Sequence, residues 1–418
     1  MPEIVIAAYN ASEQSKIGAS RVCSGFNDQL EIQAVVNSLP ASGGTIYLTE
    51  GDFLIHAPIV INRKTYLRGI HKVSTRLIAA GGTNTDIIWV RGSDNRISDM
   101  SLDGYRSTQS TSARGIVILG EGVPIEQTYL VDLNFGQFKG TPVYIGNIDI
   151  VYLQNVNFIH NSDYAVTIDG SGGLYTRRIW FRDIYNSDSI GGIHILGTNV
   201  SQVFIDGGTL ENAPRDHIRV EEAIDTIDIK NLLIKTSNES KEDYSDIYIR
   251  RAASVTIAGN HFSDVSGNNN SHSIRLMECN QGVIANNQME GAHEGAINLV
   301  KSSGFTVTGN LFRNNALEQN DVYSVITLSG GSTRNLVYGN TILEDSPASR
   351  AKHGIMEESS QDDFNVFADN IISGTTDAPV LVSGPNSRFD EKVSPSGISP
   401  WLIGAGAFAI YAMTRKRR

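Results

Sequence analysis

Cysteine is nearly absent: the 418 residues hold two, Cys23 and Cys279. They stand far apart and outside any metal-ligand spacing, so neither a disulfide framework nor a zinc site is legible. Charge is also scarce, at 19% of residues against the roughly 25% usual for soluble chains. Basic residues are outnumbered 34 to 45, a formal charge of −11 that leaves no electrostatic footprint for nucleic acid. Eleven prolines against 40 glycines, without a period of three, exclude collagen. Stretches of helical period are few, and coiled coil and bulk disorder are disfavoured as well.

Long hydrophobic runs are missing too. The amino terminus, Met1-Pro-Glu-Ile-Val-Ile-Ala-Ala, has neither a basic start nor an apolar stretch fit for secretion. At the other end an uncharged, mostly apolar run from Trp401 to Met413 precedes Arg415, Lys416, Arg417 and Arg418. That run is shorter than the roughly 20 residues of a bilayer span.

What is present is repetition. From about residue 95 the chain falls into short alternating β-type runs separated by Gly, Asn, Asp and Ser. The pattern apolar-x-apolar-x-Gly-Asn-x-apolar occurs at Val255–Phe262 and again at Phe305–Phe312, with a near copy ending at Ile342. Equivalent positions are Leu102, Phe135, Phe158, Asn186, Leu210, Leu233, Phe262, Met289, Phe312, Ile342 and Ile372, with steps of 23 to 33 residues that average 27. Such a period built from strands means a solenoid, and it is too short for propeller blades of about 40 residues. The expected fold is all-β: a single-stranded right-handed parallel β-helix with an amino-terminal capping helix and a carboxyl-terminal apolar tail helix.

Each coil carries a second strand with clean alternation, for example Gly192-Ile-His-Ile195 and Asp246-Ile-Tyr-Ile249. The apolar pair points inward and the residue between them outward. Stacking then aligns Thr167, His194, Arg219, Tyr248, Arg275, Asn298 and Thr327 in one outward row. A preceding row includes His217 and Asp246, and a following one Asp169, Glu221 and Arg250. The asparagines Asn231, Asn260, Asn287, Asn310, Asn340 and Asn370 are expected at turns, tolerating left-handed backbone and bonding along a ladder between coils.

Ile32, Val35, Val36 and Leu39 form a helical stripe ended by Pro40, a device for covering the open edge of the first coil. This segment, Asp28 to Gly51 followed by Tyr66-Leu-Arg-Gly69, resembles the start of the pectate-lyase-like right-handed β-helix superfamily. The resemblance covers residues 20 to about 385 in architecture. It implies a fold shared by pectate lyases, polygalacturonases, phage tailspikes and many surface proteins, a weak guide to activity. The expected division is an opening segment 1–94, coils 95–385, a proline-marked linker 386–400 and an apolar anchor 401–418.

Outward His, Arg, Tyr, Asp and Glu gather in coils 190–280, a mixture suited to sugar recognition. His194, His217, Arg219, Tyr248, Arg250, Arg275 and Asn298 are the candidate carbohydrate contacts. Asp246 and Glu221 are the candidate acid–base pair, although strand geometry puts their backbones roughly 14 Å apart, beyond the range of about 6.5–9.5 Å for inverting glycosidases. The alternative is a solvated ion-pair face. Polygalacturonase-like chains carry paired aspartates ahead of a His-Gly segment, whereas here His353-Gly354 precedes Asp362-Asp363. The calcium-binding aspartates of pectate lyases have no counterpart, so no catalytic residue carries over and no metal or cofactor is expected.

The tail suggests an anchor. Trp401, Leu402, Ile403, Phe408, Ile410 and Tyr411 form its apolar part, small residues between them permit close packing, and the basic end favours an anionic or cytoplasmic surface. Without an export signal, a virion component fits this combination: a spike, fibre or capsid-surface protein held by other virion proteins or a membrane. A homotrimer and a host polysaccharide are the accompanying expectations, and nucleic acid is not. A tailspike-type glycan depolymerase and a cellular surface protein with a short membrane anchor are the alternatives.

Overall fold

A computed structural model describes residues 2–222, 225–236, 244–264, 272–346 and 350–390. They form a right-handed parallel β-solenoid. Each coil supplies one strand to a 13-stranded sheet, the narrow sheet, and one or two to a 23-stranded sheet that wraps the rest of the tube, the broad sheet. All paired strands are parallel, so each coil satisfies its backbone groups against the coils on either side.

The repeat read from the sequence is the inward row of the broad sheet. Leu102, Phe135, Phe158, Asn186 and Leu210 pair successively, and Phe262, Met289, Phe312, Ile342 and Ile372 continue the row. One member differs: Ile234, not Leu233, pairs with both Leu210 and Phe262. Three apolar residues stand together there, and the pleat buries Leu232 and Ile234 while turning Leu233 outward.

Broad-sheet strands bend at a row of left-handed residues that includes Asp99, Asp132, Asn155, Asp183, Asn231, Gly259, Asn286, Gly309, Gly339 and Asp369. Gly, Asn and Asp are the types that tolerate this conformation. The ladder asparagines stand one position later. Asn260 donates to Asn287 Oδ1 through its backbone N–H (2.9 Å) and its Nδ2 (3.0 Å), and Asn287, Asn310 and Asn340 repeat the arrangement towards Asn370. Asn231 is not in this ladder. It is itself the left-handed residue of its coil, exposed, and donates to Asp206 at 2.7 Å.

A helix spans Gln29–Ser38 and buries Ile32, Val35 and Val36. Gln33 ties it to the first narrow-sheet strand through both polar groups of the Val60 backbone. The amino-terminal strand Glu3–Ala7, which the repeat did not foretell, pairs with Gly44–Leu48 and adds a further layer. Near the other end the buried carboxylate of Glu357 accepts from the backbone N–H groups of Ser383 and Gly384 (both 2.8 Å) and from Asn365 Nδ2 (2.8 Å). Among the described residues no helix is long and apolar enough to cross a membrane. The expected tail helix, with Trp401, Leu402, Ile403, Phe408, Ile410, Tyr411, Arg415, Lys416, Arg417 and Arg418, lies outside the described residues.

Candidate functional site

The narrow-sheet register places Thr167, His194, Arg219, Tyr248, Arg275, Asn298 and Thr327 in one row, each paired with the next. Alternation within each strand turns this row outward while Ile193, Ile195, Ile218, Val220, Ile247 and Ile249 fill the tube. Trp89, Val117 and Tyr144 extend the row towards the amino terminus.

Arg219 is the hub of the cluster. It donates from Nη1 to Asp216 at 2.9 Å and from Nε to Glu221 at 2.5 Å, and its guanidinium lies 4.6 Å from the centre of the Tyr248 ring. His194 packs on the Tyr164 ring at 4.7 Å, with its Nε2 3.9 Å from Glu221. Gly191 follows from that packing, because a Cβ there would fall 2.2 Å from the Tyr164 ring. Asn298 Nδ2 lies 3.3 Å from His272 Nε2, and Arg250 stands 3.8 Å from Glu278.

Two of the candidate residues lie elsewhere. His217 and Asp246 are 1% and 3% exposed, 4.0 Å apart, so neither can meet a glycan at the surface. Alternation alone would turn them outward. They are enclosed instead where the strands begin, as the chain turns into the narrow sheet. Glu221 is at the surface and engaged with Arg219, so Asp246 and Glu221 form no surface acid–base pair.

Burial sets the ionisation of this region. Desolvation lowers His194 and takes His217 down to about 4, so both imidazoles are neutral at pH 7. Burial also raises Asp216 against the pull of Arg219, and it raises the Tyr164 and Tyr248 hydroxyls. Burial would lower Arg219, but its bonds to Asp216 and Glu221 outweigh that and hold it above its ordinary value. Perturbed groups concentrated on one face are the signature of a functional region, and an ion-pair network can produce the same pattern.

Sequence reasoning missed a second surface, on the broad sheet. Tyr129, Tyr152, Trp180 and Phe204 stack with centroids 5.0, 4.7 and 5.5 Å apart and planes within 15°. Beside them runs a groove of about 400 Å³ whose walls include Gln154, Arg182, Asp206, Asp228 and Lys230. The signal was present: each ring stands six residues before Phe135, Phe158, Asn186 or Leu210 of the repeat.

Fold and register together define a right-handed parallel β-helix. Three solved structures are similar to it. The mannuronan C-5 epimerase AlgE4 A-module of Azotobacter vinelandii is 16% identical at TM-score 0.54, with 92% of this chain and 100% of that one covered. Tailspike protein 3 of bacteriophage CBA120 is 12% identical at TM-score 0.58, covering 90% and 60%. PfbA, a surface adhesin of Streptococcus pneumoniae, is 13% identical at TM-score 0.55, covering 88% and 92%. A family described as periplasmic copper-binding protein (NosD) matches residues 202–388. No curated protein matches the chain in sequence.

Among the described residues of that segment no three His, Cys, Asp or Glu ligand atoms come together to offer copper a site. Among the described residues, the one group of three His, Cys, Asp or Glu ligand atoms within 4.8 Å of one another is Cys23, Asp28 and Glu31, outside the match. There the Asp28 oxygens accept from the backbone N–H groups of Gly25 and Leu54, both at 2.8 Å, and burial pushes the Cys23 thiol up to about 12.

Proposed function

We propose that this protein is an extracellular or surface-exposed carbohydrate-binding β-helix whose glycan docks on the narrow-sheet face around Arg219 and Tyr248. The observation that carries the reading is the Arg219–Tyr248 contact beside a neutral His194 and Glu221 on adjoining coils, in front of buried Asp216. This provides ring surface, fixed donors and fixed acceptors within one outward patch, the mixture sugar binding requires. Similar β-helices named as a mannuronan epimerase, a tailspike and an adhesin support it. Arg250, Arg275 and Asn298 would extend the contact surface along the row.

A depolymerase is the second reading, favoured by the neutral His194, whose Nε2 is buried and makes no hydrogen bond within the described structure. A neutral imidazole is the form a general base requires, and the ring would have to turn its Nε2 outward to reach a sugar hydroxyl. A spike, fibre or capsid-surface role, trimeric and anchored through Trp401–Arg418 to virion proteins or a membrane, is our proposal for how the solenoid is displayed; a cell surface is the alternative.

Glycan arrays and reducing-end assays on polysaccharide panels test the function. Tyr248→Ala and His194→Ala should each weaken glycan binding at least tenfold while the folded β-sheet spectrum persists. Absence of binding by the parent protein across neutral, acidic and amino-sugar polymers would overturn the reading. Reducing-end release abolished by His194→Gln would establish the depolymerase.

A further inference from the structure

The broad-sheet groove plays no part in the function proposed above, and its chemistry stands independently. We infer that it is a second carbohydrate site, taking one neutral pyranose unit of a glycan against the end of the ring stack at Phe204.

Stacked rings cover one another's faces, so along most of its length the ladder offers solvent its edges. The ladder stops at Phe204. The next coil puts Asp228 in the same column, and the one after it Thr256. The far face of Phe204 therefore has no ring over it where the groove is lined by Asp228 and Lys230.

Asp228 supplies the second observation. Its Oδ2 accepts from Lys230 Nζ at 2.5 Å, whereas its Oδ1 is buried and receives no hydrogen bond from any described residue. A buried carboxylate oxygen left in that state calls for a donor. Arg182, which also lines the groove in the column of Asp206 and Lys230, is exposed and forms no ion pair among the described residues, free to donate to ring or hydroxyl oxygens.

An apolar ring face beside the Arg182 donor and a carboxylate that lacks a donor on one oxygen matches a pyranose, whose C–H face is apolar and whose edge carries hydroxyls. Charge decides which sugar. Arg182 and Lys230 are matched in number by Asp206 and Asp228 in the groove, so its lining carries no net charge to attract a uronate or an amino sugar. A neutral hexose is the class such a lining suits.

Trp180 is the neighbour of Phe204 in the stack and one of three tryptophans in the chain. In the full-length protein carrying Trp89→Phe and Trp401→Phe, its emission reports on the groove. Titration with neutral gluco-, galacto- and manno-hexasaccharides should give a saturable change with at least one of them, and none with a polyuronate hexamer. Phe204→Ala and Asp228→Ala should weaken it at least tenfold. Arg182→Ala, an exposed change that leaves the stack intact, should weaken it severalfold, and Tyr248→Ala on the narrow sheet should leave it unchanged. The inference is overturned by no response to any neutral hexasaccharide, by a uronate preference, by undiminished binding in Phe204→Ala and Arg182→Ala, or by loss of the signal in Tyr248→Ala.

Discussion

Arg219 lies 4.6 Å over the ring of Tyr248, its partner in the next coil, while its own nitrogens hold Asp216 and Glu221. One side chain thereby compensates a carboxylate that is 1% exposed and orients the aromatic surface proposed to meet sugar.

Arg219→Ala leaves Asp216 buried without its cation. Breaking one side of a buried pair costs about 3–5 kcal/mol, and the partial exposure of Arg219 places the expected loss near the lower end. Urea unfolding at pH 7 should show it, and Asp216→Asn in the same chain should recover part of it. An Arg219→Ala variant as stable as the parent would remove Asp216 from this account.

The asparagine ladder is a second point of stress. Asn287→Ala strips the acceptor from two buried donors of Asn260 and removes the bond from Asn287 Nδ2 to the Ile257 carbonyl. Unpaired buried groups cost about 1–3 kcal/mol each. Thermal unfolding should therefore fall by several degrees, whereas Asn231→Ala, at an exposed position outside the ladder, should cost far less.

Acid should loosen the solenoid through His217. Its folded value of about 4 lies below the ordinary histidine value, so the unfolded chain binds the proton more readily. The stability this gives is complete above about pH 6.5 and drains away as pH falls towards 4, reaching about 3 kcal/mol. His217→Asn should flatten that limb of a plot of Tm against pH; an unchanged slope would assign the acid sensitivity to other groups.

Glu344 has the opposite sign. Burial lifts its carboxyl to about 8, so at pH 7 the folded state keeps a proton that the unfolded state releases. Ionisation of the unfolded chain then favours unfolding progressively between about pH 4.5 and 8. Glu344→Gln removes this term and can keep the bond accepted from the Asn315 N–H. Its gain in Tm should be larger at pH 8 than at pH 5, and equal gains at both would refute the assignment.

The inward row was legible because burial repeats with each coil: Phe135, Phe158, Phe262 and Phe312 could be aligned across turns of unequal length. The outward row from Thr167 to Thr327 was legible for the same reason, since each member is bracketed by two buried aliphatic residues that fix its face. Leu233 shows where the rule weakens. Among three consecutive apolar residues, hydrophobicity alone cannot choose the register, and pairing with Leu210 and Phe262 chose Ile234.

The sequence by itself determined the period, the parallel stacking and which narrow-sheet side chains share a row, because alternation about a buried pair is a local property. Only the tertiary structure decided that His217 and Asp246 are enclosed, that the rings from Tyr129 to Phe204 stack, and that Asp228 ends them. Those outcomes depend on what neighbouring coils place beside a residue, and residues more than 20 positions apart become neighbours only once the solenoid has closed.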